Sequence, residues 1–239
     1  MIKALIPKWI KLYLKLTLRY FIDVKKGYLF KFSKKGKHST NYTYQISQTQ
    51  DLKKSSSLEA KIFNLNKGAL IVKQHQIQSN EIFSFWKVIG NPSEKRGYKS
   101  GRTIIDGELS ESIGGGLCQL SGLIYLLSLE AGLTILERHN HSLDLYTEST
   151  RYAPLGSDAT VVYGYKDLRI KNPYPFSIYF DFKIESKKIT ASLNSKEEIK
   201  KRTVKFEVVE QDEKLKKVIT YINGIPSTTS IYKVPKPTT

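Results

Sequence analysis

One cysteine in 239 residues excludes an internal disulfide framework, and with only four histidines no Cys/His array supplies the closed ligand set of a structural zinc finger. Uninterrupted apolar runs are also missing. No segment reaches the ~18 apolar residues of a spanning helix. A secretory signal needs roughly 7–15 of them, and Lys8, Lys11, Lys15 and Arg19 break every such window near the start. The expectation is a cytoplasmic protein without signal peptide or transmembrane helix, peripheral at most to the inner face of the membrane.

Acid is scarce. There are 39 Lys+Arg against 22 Asp+Glu, a formal charge of +17. Such a balance raises the question of nucleic acid or anionic lipid. Lysines outnumber arginines 32 to 7, although arginine is the usual base reader. Residues 1–38 hold eleven basic residues and one acid, whereas residues 101–150 hold two arginines, no lysine and seven acids. The basic excess therefore avoids the most motif-like stretch, and no specific nucleic-acid partner is expected. At 40% apolar and 26% charged, the remainder reads as an ordinary globular chain.

Residues 8–22 have helical periodicity: Trp9, Leu12, Leu16 and Tyr20 can share a face flanked by basic side chains. That face docks on the protein's own core or lies on an anionic membrane surface. Further on, a helix is expected from Ser57, ending near Asn66 to Gly68 where glycine offers a left-handed cap. Ile82 to Trp86 reads as a buried run, and Thr103 to Leu109 as a hairpin with Asp106-Gly107 at its turn. Leu117 to Ala131 is apolar on all sides, hence a central buried helix, which Gly132 closes. Strand-like pieces follow from Leu133 onward, with connections short enough for antiparallel pairing. The organisation predicted is a basic helical leader and connecting segment over 1–56, one domain over 57–225, and a mobile Pro-rich tail over 226–239.

Gly114, Gly115 and Gly116 precede the buried helix and place Cys118 near its N-terminus, where the dipole and free amides favour a thiolate and can hold an oxyanion. Gln119 and Ser121 are near enough to add side-chain donors. No Gly-Lys-Ser/Thr ending follows the glycines, which argues against a phosphate loop. A lone cysteine is also a common small core residue. What favours chemistry is Glu137 to Ser142: if extended, it turns His139 and His141 to one face and can carry an imidazole back to the thiol. Asp144 falls on the opposite face by the same parity, so Asp158 and Asp167 are the better-placed acids. Cys118, His139 and His141 offer an alternative zinc set with an open position; the reading adopted has neither metal nor cofactor.

Several ordered motifs carry a resemblance: Gly114-Gly115-Gly116-Leu117-Cys118-Gln119-Leu120-Ser121, Glu137-Arg138-His139-Asn140-His141-Ser142, Gly156-Ser157-Asp158-Ala159-Thr160-Val161, and Asp167-Leu168-Arg169 with Asn172. With Glu81 to Trp86 and Gly97 to Arg102 upstream, the chain resembles the VanW family, named from vancomycin-resistance gene clusters, over about residues 57–185. The family pattern has Pro-Gly where this chain has Ser79-Asn80. The resemblance implies peptidoglycan chemistry, since larger proteins with this domain are associated with L,D-transpeptidation through the cysteine of this motif, here Cys118. It favours His141 over His139, because the family motif is closer to Arg-x-x-His.

The expected fold is α+β, a buried Cys-bearing helix packed on a mostly antiparallel sheet, preceded by a basic amphipathic helix. The expected function is a thiol-dependent acyl transferase or amidase on peptidoglycan or precursor peptides. Cys118 would be nucleophile, His141 base and acid, Asp167 its orienter and Asp158 the substitute, with Gly114 to Gly116, Gln119 and Ser121 around the oxyanion. The alternative is a non-catalytic binding module for cell-wall peptide, attached peripherally to the membrane through residues 8–22.

Overall fold

A computed structural model describes residues 6–36, 42–105, 108–144, 151 and 153–234. It is mixed α+β with antiparallel sheets. The helices are α1 (Lys8–Lys25), α2 (Leu58–Lys73), α3 (Phe85–Ile89) and α4 (Leu117–Glu130). The strands are β1 (Lys34–Lys35), β2 (Tyr44–Asp51), β3 (His75–Ile77), β4 (Ile82–Ser84), β5 (Ser100–Ile105), β6 (Glu108–Ile113), β7 (Thr134–Glu137), β8 (Arg169–Lys171), β9 (Ile178–Ile184), β10 (Lys188–Ser195), β11 (Val204–Gln211), β12 (Leu215–Ile222) and β13 (Ile225–Lys233). Among the described residues no helix is long and apolar enough to cross a membrane.

The largest sheet has the order β1-β3-β9-β10-β2, and its paired strands run antiparallel. Alternate side chains of β9 and β10, among them Ile178, Phe180, Ile189, Ala191 and Leu193, point into the core, as the period of two in a strand requires. Against this layer lies α4, which also touches α2, β2 and β7. Cys118 is the one residue of α4 that is not buried. A helix apolar all round needs cover on every side, and α4 obtains it everywhere except at its second residue.

The small sheet β4-β8-β7 carries the elements that flank the helix, and β5-β6 forms a separate two-stranded ribbon. Ile105 pairs with Glu108, leaving two residues for the connection; the Asp106-Gly107 turn itself lies outside the described residues.

Three expectations about local structure need correction. The second helix does not stop at Gly68 but runs to Lys73, because Gly68 serves packing rather than capping. A β-carbon there would sit 2.7 Å from Leu120 Cδ1 and 3.0 Å from Leu117 Cδ2, so its absence lets α2 approach α4. Residues 138–142 are not a regular strand, so the period-two argument for a shared histidine face does not apply. The chain after Pro226 is not a mobile tail up to Lys233: β13 pairs along β12 in the meander β11-β12-β13. Proline is tolerated there because β13 is an edge strand, where a missing N–H costs no ladder bond.

The meander closes onto the body through the loop after β7. Asn140 Nδ2 donates to the Ile231 carbonyl at 2.7 Å, Arg138 donates to Ser230 Oγ at 2.5 Å, and Asp144 N donates to the Lys233 carbonyl at 3.0 Å. The C-terminal strand is thereby brought to the N-terminal end of α4.

Candidate active site

The glycine triplet shapes the entry to α4. Gly114 and Gly116 have φ of 85° and 100°, the left-handed region where glycine has no steric penalty. Gly115 is needed for close approach instead: a β-carbon would lie 2.3 Å from the Gly101 carbonyl carbon. The turn thus locks against β5 and delivers Cys118 in the first turn of α4. The amides of Leu117 and Gln119 donate to Gly114 and Gly116 at 3.2 and 2.9 Å. As the second residue of α4, Cys118 has its amide among the first-turn N–H groups at the positive end of the helix.

Cys118 Sγ lies 3.8 Å from Thr160 Oγ1 and 3.9 Å from the Val161 carbonyl, and His141 lines the same cleft, near enough to act on the charge of the thiol. Burial alone pushes the thiol pKa up. The hydrogen bond and charge of His141 outweigh that, and the net direction is below the ordinary thiol value. For His141, burial favours the neutral ring, but Asp158 and Cys118 overcome it and raise the pKa to about 10. The pair therefore favours thiolate and imidazolium over thiol and imidazole.

Asp158 is the orienting acid. Its Oδ2 accepts from both the backbone N–H and Nδ1 of His141, each at 2.6 Å. Its Oδ1 accepts from Tyr232 Oη at 2.5 Å and from Arg138 at 3.1 Å. Burial opposes its ionisation, yet His141 and Arg138 hold its pKa down at about 2. Tyr232 is displaced in the opposite direction, upward, by burial and the Asp158 charge. Arg138 in turn lies with its guanidinium 4.8 Å from the centre of the buried Tyr125 ring.

Asp167 plays a different part from the orienter expected of it. It is 2% exposed and takes Ser84 Oγ at 2.5 Å, the Trp86 amide at 3.1 Å and Arg169 Nε at 3.0 Å, so it organises the start of α3 rather than the imidazole. His139 also turns away: its Nε2 is 3.0 Å from Glu137 Oε1. With the two histidines parted, Cys118, His139 and His141 do not form a ligand set, and among the described residues no cluster of His, Cys, Asp and Glu is placed to hold a metal.

The side-chain donors expected near the sulfur are likewise committed elsewhere. Ser121 Oγ donates to the Ala159 carbonyl at 2.5 Å, tying α4 to the loop that carries Asp158. Gln119 Nε2 is 3.2 Å from both Gln50 Oε1 and the Asp51 carbonyl. What Gln119 retains is its Oε1, which is buried and without a partner among the described residues. It is therefore an acceptor, where the sequence suggested a donor.

Cys118, His141 and Asp158 open on a cleft of about 580 Å³, its mouth included, with Gln119, Leu155 and Tyr232 also in its wall. Tyr232 and Arg138 were not anticipated from sequence. For Tyr232 the only signal was position, two residues after Ser230 along β13 so that both face the same way; Arg138 stood in the Arg-x-x-His motif but carried no role there.

The family described as VanW like protein matches residues 60–194, the span that supplies α4, the His141 loop and Asp158. The chain belongs to the VanW family. A similar sequence occurs in the "Uncharacterized protein YoaR" of Bacillus subtilis (strain 168), 40% identical over 120 residues, 50% of this chain and 38% of that protein. The "Vancomycin B-type resistance protein VanW" of Enterococcus faecalis (strain ATCC 700802 / V583) is 35% identical over 114 residues, 48% of this chain and 42% of that protein. The match thus spans less than half the length of either curated relative. No solved structure matches. The C-terminal meander with Tyr232 lies beyond the matched VanW residues.

Proposed function

We propose that the protein is a thiol-dependent acyl transferase or amidase acting on peptidoglycan or its precursor peptides. The observation that carries this reading is that Cys118 and His141 line one cleft and influence each other's charge, with Asp158 on His141 Nδ1 and the sulfur in the first turn of a buried helix. The peptide class of substrate rests on membership of the VanW family, one member of which bears vancomycin resistance in its name.

In the proposed reaction the Cys118 thiolate attacks a substrate carbonyl carbon, and the electron pair of the C=O moves to oxygen. The Cys118 amide at the positive end of α4 stabilises that oxyanion. On collapse, imidazolium His141 gives its proton to the leaving amine, leaving a thioester on sulfur. An incoming amine or water then loses a proton to His141 as it attacks the thioester, and the thiolate departs. The proton taken up restores the imidazolium.

Incubating the protein with muropeptides and mapping adducts by mass spectrometry tests the reading. A thioester on Cys118, absent in Cys118→Ser, is expected. Peptide binding with an inert thiol and no adduct would instead identify a non-catalytic binding module.

A further inference from the structure

The outward side of α1 has the composition of a surface that belongs in neither water nor a protein core. The helix is held to the body by one narrow stripe. Leu12 nests on Gly164, where a β-carbon would lie 2.4 Å from Leu12 Cδ1. Arg19 donates to Glu137 Oε2 at 2.6 Å. Asp23 is 1% exposed and gripped by both guanidinium nitrogens of Arg169, at 2.5 and 3.2 Å. These contacts fix the rotation of the helix about its axis, so the side turned away from the protein is a property of the fold.

That side carries Trp9 at 71% exposure, Tyr13 at 68%, Phe21 at 62%, Leu14 at 56% and Leu18 at 53%, and Phe30 stands at 91% just beyond the helix. Leaving a large apolar side chain in water forgoes about 1.5–3 kcal/mol of burial; the five on the helix share one side, and such a patch calls for an occupant. At ~100° per residue the arc runs from Trp9 and Tyr13 through Phe21 and Leu14 to Leu18, and Lys25, Lys15 and Lys8 lie along its Leu18 side. The lone acid of the helix, Asp23, is the residue turned inward. The outward face is therefore apolar and cationic with no negative charge.

We propose that α1 is an interfacial helix that seats the protein on an anionic bilayer surface, its aromatic arc among the upper acyl chains and its lysines on the headgroup phosphates. The choice of lipid over a protein partner follows from charge complementarity combined with tryptophan and tyrosine, whose amphipathic rings favour the headgroup level. The proposal is independent of the thiol chemistry.

Co-sedimentation of the intact protein with vesicles of phosphatidylglycerol and phosphatidylethanolamine, set against phosphatidylcholine alone, provides the test. Binding to the anionic vesicles, weakened by salt and accompanied by a blue shift of Trp9 emission, is expected. Lys8→Glu with Lys15→Glu should weaken it by at least about 30-fold, roughly fivefold for each lysine lost before the added repulsion of the glutamates. Trp9→Ser with Phe21→Ser should weaken it at least as much, while thermal midpoint and Cys118 alkylation stay unchanged because these positions face away from the body. Absence of binding, or binding indifferent to both variants, would overturn the proposal. So would self-association that Trp9→Ser and Phe21→Ser abolish, which would give the face to a second copy of the chain.

Discussion

A single carboxylate oxygen, Asp158 Oδ2, takes two hydrogen bonds from His141, one from the main chain and one from Nδ1, each 2.6 Å long. The double contact fixes the place and the rotation of the imidazole together. With Nδ1 engaged, Nε2 is the ring nitrogen left for the sulfur, as a base acting on Cys118 requires. Asp158 is itself held on its other oxygen by Tyr232 and Arg138, so the geometry of the thiol site depends on the last strand of the fold.

Asp158→Asn should leave the cleft in place while removing the charge that sustains the imidazolium. The thiol pKa then moves up toward its ordinary value, and alkylation of Cys118 by iodoacetamide near neutral pH slows several-fold. The measurement is the pH profile of alkylation. Tyr232→Phe should shift the same profile in the same direction but less, because Arg138 remains on Oδ1. An unchanged profile in both variants would deny Asp158 its orienting part.

Stability should follow pH through the same groups. His141 has its folded pKa raised to about 10 from 6.5, so its contribution is complete below pH ~6.5 and is lost as pH rises through the folded value. Cys118 has its folded pKa lowered from 9.0, so it contributes the opposite slope. Just below pH 9, where both shifts operate, the two oppose each other and the fall in wild-type stability is blunted. In Cys118→Ala that opposition is gone and Asp158 alone keeps the His141 pKa raised, so urea unfolding midpoints should fall as pH rises above ~6.5, over a narrower range than the wild-type His141 shift spans. Asp158, lowered from 3.8 to about 2, contributes above pH ~4 and loses its contribution as pH falls toward 2 in both proteins.

Two glycines near the sulfur should respond to alanine with opposite signs. At Gly115 the new methyl meets the Gly101 backbone at 2.3 to 2.6 Å, and backbone cannot turn aside as a side chain can; a loss of about 1–3 kcal/mol is expected, with slower alkylation as the α4 entry shifts. At Gly122, inside α4, the nearest neighbours stand at 3.8 Å, ordinary contact. There alanine should gain roughly 0.5–1 kcal/mol from helix propensity. Thermal denaturation of the two variants beside wild type decides it.

The buried helix was legible in sequence because a run apolar on every side from Leu117 has few other destinations, and the glycines before it announced a tight entry. The identity of the orienting acid was not legible. Asp158 and Asp167 both lie in loops after the histidine motif, and only tertiary placement decides which reaches the ring: the Ser121 bond to Ala159 pulls the Asp158 loop onto α4, while Ser84 and Arg169 claim Asp167. Gly68 and Pro226 misled for a related reason. Each is a breaker by propensity, yet one sits at a helix crossing and the other on a sheet edge, where their deficits cost little.

Arg169 serves more than one acid, and this predicts an asymmetry between its removal and that of its partner. Its guanidinium reaches Asp23 on α1 and Asp167 beside α3, and Glu137 lies 3.5 Å from its Nε. Asp23→Asn leaves Arg169 paired with Asp167, so the loss should stay near or below the ~3–5 kcal/mol typical of a broken buried pair. Arg169→Met takes the nearest cation from two buried carboxylates at once, leaving Lys87 3.8 Å from Asp23 and Arg19 3.7 Å from Asp167, and should cost more. Burial already displaces the Asp167 pKa upward, against the pull of Ser84 and Arg169, and without the guanidinium that displacement grows. An acid with a raised folded pKa binds its proton more readily in the native state, so the native state gains as pH falls through that value. The deficit of Arg169→Met should therefore shrink on acidification from pH 7 toward 5, whereas that of Asp23→Asn should not. Urea titrations of both variants at the two pH values make the comparison, and a deficit in Arg169→Met that does not change with pH would contradict the shared-cation arrangement.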